Sequence, residues 1–337
     1  MIITKTPFRM SFFGGGSDMP EFFRDERGAV LSTTFDKFCY VTVRHLPPFF
    51  EYTTELTYSV QERVKRIEDL HHPEVRNAMQ MLDMHELHIA YDADLPARTG
   101  LGTSSSFAVG MLHAFHCLKG RYASKKQLAD EAIHLERVLC GEYGGWQDQI
   151  AASFGGFNRI EFYDNDYSIH PLIISPERKL ALNSNLLLFF TGFSRFSSDV
   201  QKASKPINKK KSELRRMVEL VDEATRILSD NGSSLDDFGY LLNETWMLKK
   251  RTGKAVSNSE VDFLYEEAIS AGALGGKLLG AGGGGFLLFY VPDGKQENVE
   301  QALGNLLHVP FCFENDGTSV VYYSPEPYDV NNRRELE

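Results

Sequence analysis

Cysteine is scarce in this chain of 337 residues, and the four present are scattered: Cys39, Cys117, Cys140 and Cys312 form no CxxC pair and no zinc-type spacing. That is the pattern of reduced thiols in a cytoplasmic protein. No apolar run approaches the length of a membrane span. The opening residues, Met1-Ile-Ile-Thr-Lys-Thr-Pro7, lack both the basic and the apolar region of a secretion signal. Positive charge is short as well. The 36 Lys and Arg against 46 Asp and Glu leave a net charge of −10, which disfavours nucleic acid and anionic membranes as partners. An anionic substrate would therefore need locally placed cations. Internal repeats and low-complexity stretches are absent, and only the tail beyond Pro325 reads as loose.

What remains is an ordinary globular composition, 42% hydrophobic and 24% charged, at a length that favours two domains. Strand patterns fall at Met1–Thr6, Ala29–Thr34, Phe38–Arg44, Leu87–Asp92, Phe157–Tyr163, Leu186–Thr191, Phe286–Val291 and near Val320–Tyr323. Helical patterns cover Gln61–Asp69, Pro73–Met84, Phe107–Leu118, Ser124 to about Cys140, Ile150–Ser153, Lys209–Asp230, Leu235–Leu248, Ser259–Ala271 and Glu297–Leu307. Ser257 with Glu260, and Ser259 with Asp262, read as capping pairs for the helix that Gly272 stops. Strands and helices alternate through both halves, an α+β pattern. The Pro171, Pro176 and Asn183–Asn185 region suggests a boundary, giving domains at 1–180 and 181–337.

Three glycine clusters carry the chemistry. In Leu95-Pro-Ala-Arg-Thr-Gly-Leu-Gly-Thr-Ser-Ser-Ser106 a glycine turn runs into hydroxyl side chains at a helix start, which makes an anion site. The other clusters are Gly14–Gly16, before Asp18, and Gly280–Gly285. The last satisfies GxGxxG, but it lies late in the chain, with a helical pattern before it and a strand after it. A dinucleotide fingerprint needs the reverse order. A Walker A loop fails because Leu278 follows Gly276-Lys277, and the HRD and DFG elements of protein kinases are missing. On the helix that starts at Ser124, Glu136 sits roughly 60° from the middle of the apolar stripe, placed to look into a site, while Arg137 points to the opposite face. Asp148 is an isolated acid between two glutamines. Backbone donors around phosphates, a metal ligand or two and a carboxylate placed to orient or deprotonate an attacking hydroxyl form the inventory that phosphoryl transfer requires.

With these residues in place the chain resembles the GHMP kinase superfamily. Pro7-Phe-Arg9 with Gly14-Gly-Gly-Ser-Asp18 is similar to the first family motif, Pro96 to Ser106 to the second, and Lys277-x-x-Gly-Ala-Gly-Gly-Gly-Gly-Phe286 to the third. The form of the first motif, with Gly144-Gly-Trp-Gln-Asp-Gln149, resembles a branch that phosphorylates sugars such as heptose phosphates and fucose. The resemblance implies a two-domain α+β fold, with an N-terminal domain like ribosomal protein S5 domain 2 and a ferredoxin-like C-terminal domain. It implies a cytoplasmic, ATP- and Mg²⁺-dependent kinase acting on an anomeric hydroxyl, monomeric or homodimeric, with a sugar phosphate as substrate and neither nucleic acid nor membrane as partner. The alternatives are another sugar, such as L-fucose, or a non-catalytic sensor of sugar and nucleotide. Roles carry over as follows. Pro96, Gly100, Leu101, Gly102, Thr103, Ser104, Ser105 and Ser106 would bind ATP, and Ser104 with Glu136 would hold the metal. Asp148 would take the hydroxyl proton, with Arg9 paired to it. Gly15, Gly16, Asp18, Gly280, Gly282 and Gly283 would bind the substrate, with Arg195, Lys202 or Lys205 on its own phosphate. Thr103 and Ser106 stand where the family has serine and alanine.

Overall fold

The structure is a computed structural model that describes residues 1–97, 99–192 and 206–325. Strand β1, Ile2–Phe13, runs antiparallel to β2, Gly28–His45, from Ile2 opposite Val43 to Phe13 opposite Leu31. The two strands expected at 29–34 and 38–44 are one continuous strand, with a register shift opposite Pro7 and Phe8 that absorbs the break. Helix α1 is the single turn Pro20–Phe23. Strands β3, Thr54–Thr57, and β4, Gln61–Val64, form a hairpin. The latter replaces the helix expected over Gln61–Asp69, of which only the 3₁₀ turn Ile67–Asp69 remains helical. The reason is polar. Glu62 is buried and accepts hydrogen bonds from the Tyr58 hydroxyl (3.0 Å) and the His71 amide (2.6 Å). An inward glutamate between exposed Gln61 and Arg63 has the two-residue period of a strand.

Helix α2, Pro73–Met81, and strand β5, Leu87–Ala93, lead to the central helix α3, Thr103–Leu118. Thirteen of its sixteen residues are buried, as in a helix covered on every side. Helix α4, Lys125–His134, starts at Ser124, whose hydroxyl accepts the Gln127 amide as a side-chain cap (3.1 Å). The helical path then widens into a π turn at Leu135–Leu139, where the Cys140 amide reaches back five residues to the Leu135 carbonyl (2.8 Å). Helix α5, Gln147–Phe154, and strands β6, Phe157–Tyr163, and β7, Asp166–Pro171, complete the first layer.

After α6, Pro176–Ser184, comes β8, Leu186–Phe190, which belongs to a second, four-stranded antiparallel sheet. Its other strands are β9, Gly275–Leu278, β10, Phe286–Tyr290, and β11, Leu307–His308. Helices α7, Lys211–Ser229, α8, Asp236–Arg251, α9, Ser259–Ala271, and α10, Gln296–Ala302, belong to this half. Helix α9 has the expected bounds, but Asn258 caps it by accepting the Val261 amide (2.9 Å), while Ser257 bonds the Asp262 carboxylate instead. A strand, β9, precedes the Gly280–Gly285 loop, where a helix was expected. The loop therefore links two strands and cannot start the helix that a dinucleotide fingerprint requires.

The chain does not finish in the second half. Strands β12, Phe313–Glu314, and β13, Ser319–Tyr323, return to pair with β2 and β1 of the first sheet, so the segment 181–337 does not close on itself. Phe12, at the end of β1, is fully buried where the halves meet. Its ring lies 5.4 Å from both Phe157 of β6 and Phe238 of α8. No helix among the described residues is long and apolar enough to cross a membrane. If Phe12 locks the halves together, Phe12→Ala should lower the free energy of urea unfolding by about 3–5 kcal/mol. A loss below about 1 kcal/mol would show that this junction contributes little.

Candidate active site

A cavity of about 920 Å³ opens between the two halves, lined by β1, the turn after it, the loop into α3, the π turn, α5, α7, α8 and residues 277–281. Its floor is set by two glycine loops in backbone contact. Gly100 holds a φ of +83°, and a Cβ there would lie 2.4 Å from the Leu279 carbonyl oxygen. A Cβ on Gly280 would lie 2.2 Å from the Gly100 Cα. No side chain fits on either residue. Gly102, in the left-handed region, opens α3, so the positive end of a sixteen-residue helix faces the cavity.

Of the residues expected to bind ATP, Gly100, Gly102, Thr103, Ser104 and Ser105 line the cavity, and Pro96, Leu101 and Ser106 do not. Leu101 is buried in the core. Ser106 turns away: its hydroxyl donates to the Pro7 carbonyl (2.9 Å) and its amide to the Gly102 carbonyl (2.9 Å). That inward bond gives a hydroxyl a reason to stand where the family has alanine.

Ser104 and Glu136 come together as expected, with Ser104 Oγ 3.0 Å from Glu136 Oε1. Glu136 is buried and also accepts from Ser105 Oγ (2.8 Å) and Gln149 Nε2. Sequence reasoning missed Glu74, at the start of α2, whose Oε1 lies 3.1 Å from the same Ser104 hydroxyl. Burial, followed by the charges of Glu136 and Glu142, pushes the Glu74 carboxyl well above the usual range. No group of three or more His, Cys, Asp or Glu forms a metal cage among the described residues. A hydroxyl beside a carboxylate is nevertheless a hard-oxygen donor pair suited to Mg²⁺, which keeps waters and takes phosphate oxygens besides. Arg137 is a correction. The π turn alters the phase of the helix, so Arg137 lines the cavity and donates to the Gly145 carbonyl (2.8 Å) instead of pointing away.

Arg9 and Asp148 form a fork. Arg9 Nε donates to Asp148 Oδ1 (2.8 Å) and Nη2 to Oδ2 (2.7 Å), while Nη1 donates to the Gly100 carbonyl (2.6 Å). Arg9 is buried and the Asp148 side chain keeps 25% of its surface open, in the first turn of α5. Asp18 is also buried. It accepts from the Gly16 amide (2.8 Å) and the Gln147 amide (3.3 Å), and burial, with the nearby Asp148 charge, raises its carboxyl pKa. Gly15, Gly16, Asp18 and Gly280 line the cavity, whereas Gly282 and Gly283 lie against Val256 behind it. Arg195, Lys202 and Lys205 fall outside the described residues. The structure adds Lys210, Gln147, Thr245, Lys249 and Lys277 to the lining; Gln147, Lys249 and Lys277 lie in stretches that resemble the family but had been given no role, and Lys210 and Thr245 carry no local signal.

Residues 65–156 match the GHMP kinases N terminal domain and residues 217–308 the GHMP kinases C terminal domain. The chain is 30% identical to D-glycero-alpha-D-manno-heptose 7-phosphate kinase of Campylobacter jejuni, over 90% of this chain and 93% of that one. It is 27% identical to the bifunctional fucokinase/GDP-fucose pyrophosphorylase of Arabidopsis thaliana, over 88% of this chain but only 30% of that larger protein. A putative sugar kinase from Campylobacter jejuni superimposes with a TM-score of 0.70 at 26% identity, over 95% of this chain and 97% of that one. A D-glycero-D-manno-heptose 1-phosphate kinase from Bacteriodes thetaiotaomicron shares the fold with a TM-score of 0.78 at 24% identity, covering 96% of this chain and all of that one.

The Asp18 pocket offers a check that needs no substrate. A Cβ on Gly145 would lie 1.8 Å from Asp18 Oδ2. Gly145→Ala should therefore destabilise the protein by about 1–3 kcal/mol in urea unfolding. Unchanged stability would mean that the loop 142–145 is not seated on Asp18.

Proposed function

The chain belongs to the GHMP kinases and is a sugar kinase, a phosphotransferase with an alcohol group as acceptor; from that premise we propose that it phosphorylates the anomeric hydroxyl of D-glycero-D-manno-heptose 7-phosphate, giving the 1,7-bisphosphate at the expense of ATP. The observation that carries the reading is the Asp148 carboxylate. It is held on both oxygens by Arg9 and open to a cavity whose lining also contains the start of α3 and Asp18. The similarity to the heptose 7-phosphate kinase, running through nearly the whole of both chains, supports this choice of sugar.

In this reading the start of α3, from Gly100 to Ser105, receives the nucleotide phosphates. Ser104 and Glu136 would hold Mg²⁺, which when bound offsets the charge of those phosphates. Asp18 and the Gly15-Gly16 turn orient the sugar. Asp148 accepts the proton of the anomeric hydroxyl as its oxygen bonds to the γ-phosphorus and the bond from that phosphorus to the bridging oxygen breaks, the electron pair leaving with ADP. An anomeric hydroxyl is more acidic than an ordinary alcohol, so a carboxylate suffices as acceptor. Arg9 keeps the carboxylate in place and stabilises the negative charge that develops on the nucleophile.

Phosphorus NMR of a panel of sugars and sugar phosphates with ATP and Mg²⁺ tests the reading. It predicts a new anomeric phosphate resonance with heptose 7-phosphate, beside the retained 7-phosphate signal. Turnover of fucose with none of heptose 7-phosphate would overturn it.

A further inference from the structure

The charged groups lining the cavity fall into two clusters. Glu74, Glu136 and Glu142, with Arg137, gather near the start of α3; Arg9, Lys210, Lys249 and Lys277, with Asp18 and Asp148, gather near the sugar end. Two acids thus face four basic side chains in the second cluster, in a protein whose net charge is −10. Two of those cations are committed. Arg9 serves Asp148 and Gly100, and the Lys277 ammonium donates to the Ser11 and Phe12 carbonyls (2.8 Å each). The other two form no ion pair among the described residues, although Lys210 feels the charges of Glu21 and Asp18. Lys249 donates to the Gly280 carbonyl and, weakly, to the Leu278 carbonyl (3.4 Å), while Lys210 lines the same cavity.

A third group adds a donor. The Thr245 hydroxyl is buried, lines the same cavity and has no hydrogen-bond partner among the described residues. It lies one helical turn before Lys249 on α8, so the two side chains share a face. A buried hydroxyl is rarely left unpaired without a ligand to meet it. We infer that Lys249, Lys210 and the Thr245 hydroxyl form a subsite for a phosphate monoester carried by the acceptor sugar, distinct from the loop that receives ATP. The inference rests on the sugar-phosphate reading above and assigns the second phosphate a place.

Lys210 feels the charges of Glu21 and Asp18, and Lys249 those of Arg9 and Asp18, in the lining they share with Asp18. Burial, with the Arg9 charge, pushes Lys249 down to about 7, and burial lowers Lys210 as well. A phosphate dianion beside them reverses both effects, and its oxygens accept the spare ammonium and hydroxyl protons. The subsite draws on α8 and the start of α7, while Arg195, Lys202 and Lys205, expected in the same role, lie outside the described residues.

Calorimetric titration without ATP, using heptose 7-phosphate and the unphosphorylated heptose, tests the subsite apart from turnover. The wild type should prefer the phosphorylated sugar, and Lys249→Met should cut that preference by about 10- to 100-fold, the usual loss for a hydrogen bond to a charged group. Lys210→Ala, at a less buried position, should cut it by a smaller factor, and the KM for ATP should stay within about 2-fold in both variants. A weakened affinity for both sugars alike, or a raised KM for ATP with the phosphate preference intact, would overturn the inference. A phosphate preference lost in Lys249→Met would support it even if the wild type failed to turn heptose 7-phosphate over, an outcome that would remove the proposed reaction alone.

Discussion

One arginine joins the parts of this active site. Arg9 sits on β1, yet its guanidinium reaches α5 through both oxygens of Asp148 and the loop into α3 through the Gly100 carbonyl, and its own amide donates to the Leu101 carbonyl (3.0 Å). The planar fork of arginine matches a carboxylate and a carbonyl at the same time, which a lysine could not do. Because Arg9 is buried, this arrangement forms only when the first sheet, α3 and α5 are all in place. The geometry of the candidate site is therefore a consequence of the fold's assembly and not of any one loop.

The glycine clusters follow from the same crowding. Gly100 meets Gly280 backbone to backbone, bringing the second half of the chain against the loop into α3, and Gly145 lies flush on the Asp18 carboxylate. Each cluster allows a close approach that a methyl group would block. The resulting cavity separates charge, with acids near the hydroxyls of α3 and cations near Asp18. A chain of net negative charge that handles phosphates needs this segregation, since its overall field repels its own substrates.

Features governed by local chemistry were legible in the sequence. The glycine motifs, the Ser124 cap, the bounds of α9 and the strand Phe157–Tyr163 all depend on residues near one another in the chain. The pairing of Ser104 with Glu136 followed from the resemblance, and helical periodicity put Glu136 near the buried face. Long-range causes escaped. The π turn at 135–139 adds a residue that a regular 100° count cannot see, and it turns Arg137 into the cavity instead of away from it. The Gln61–Val64 strand is set by an inward Glu62, which apolar counting ignores. Glu74 carries no local signal, since its partner Ser104 lies thirty residues away, and the Trp246-x-x-Lys249 stretch, though similar to the family, gave Lys249 no role. The return of β12 and β13 to the first sheet is a pairing of short strands across nearly the entire chain.

The central claim is that the fold assembles an arginine-held carboxylate as the proton acceptor for a sugar hydroxyl. Asp148→Asn tests it most directly, because the amide keeps the shape of the side chain and removes its basicity. The steady-state rate of phosphoryl transfer by this variant should fall by about 100-fold or more, with the KM for ATP little changed and the thermal unfolding midpoint close to wild type. Wild-type turnover by a folded Asp148→Asn protein would contradict the account.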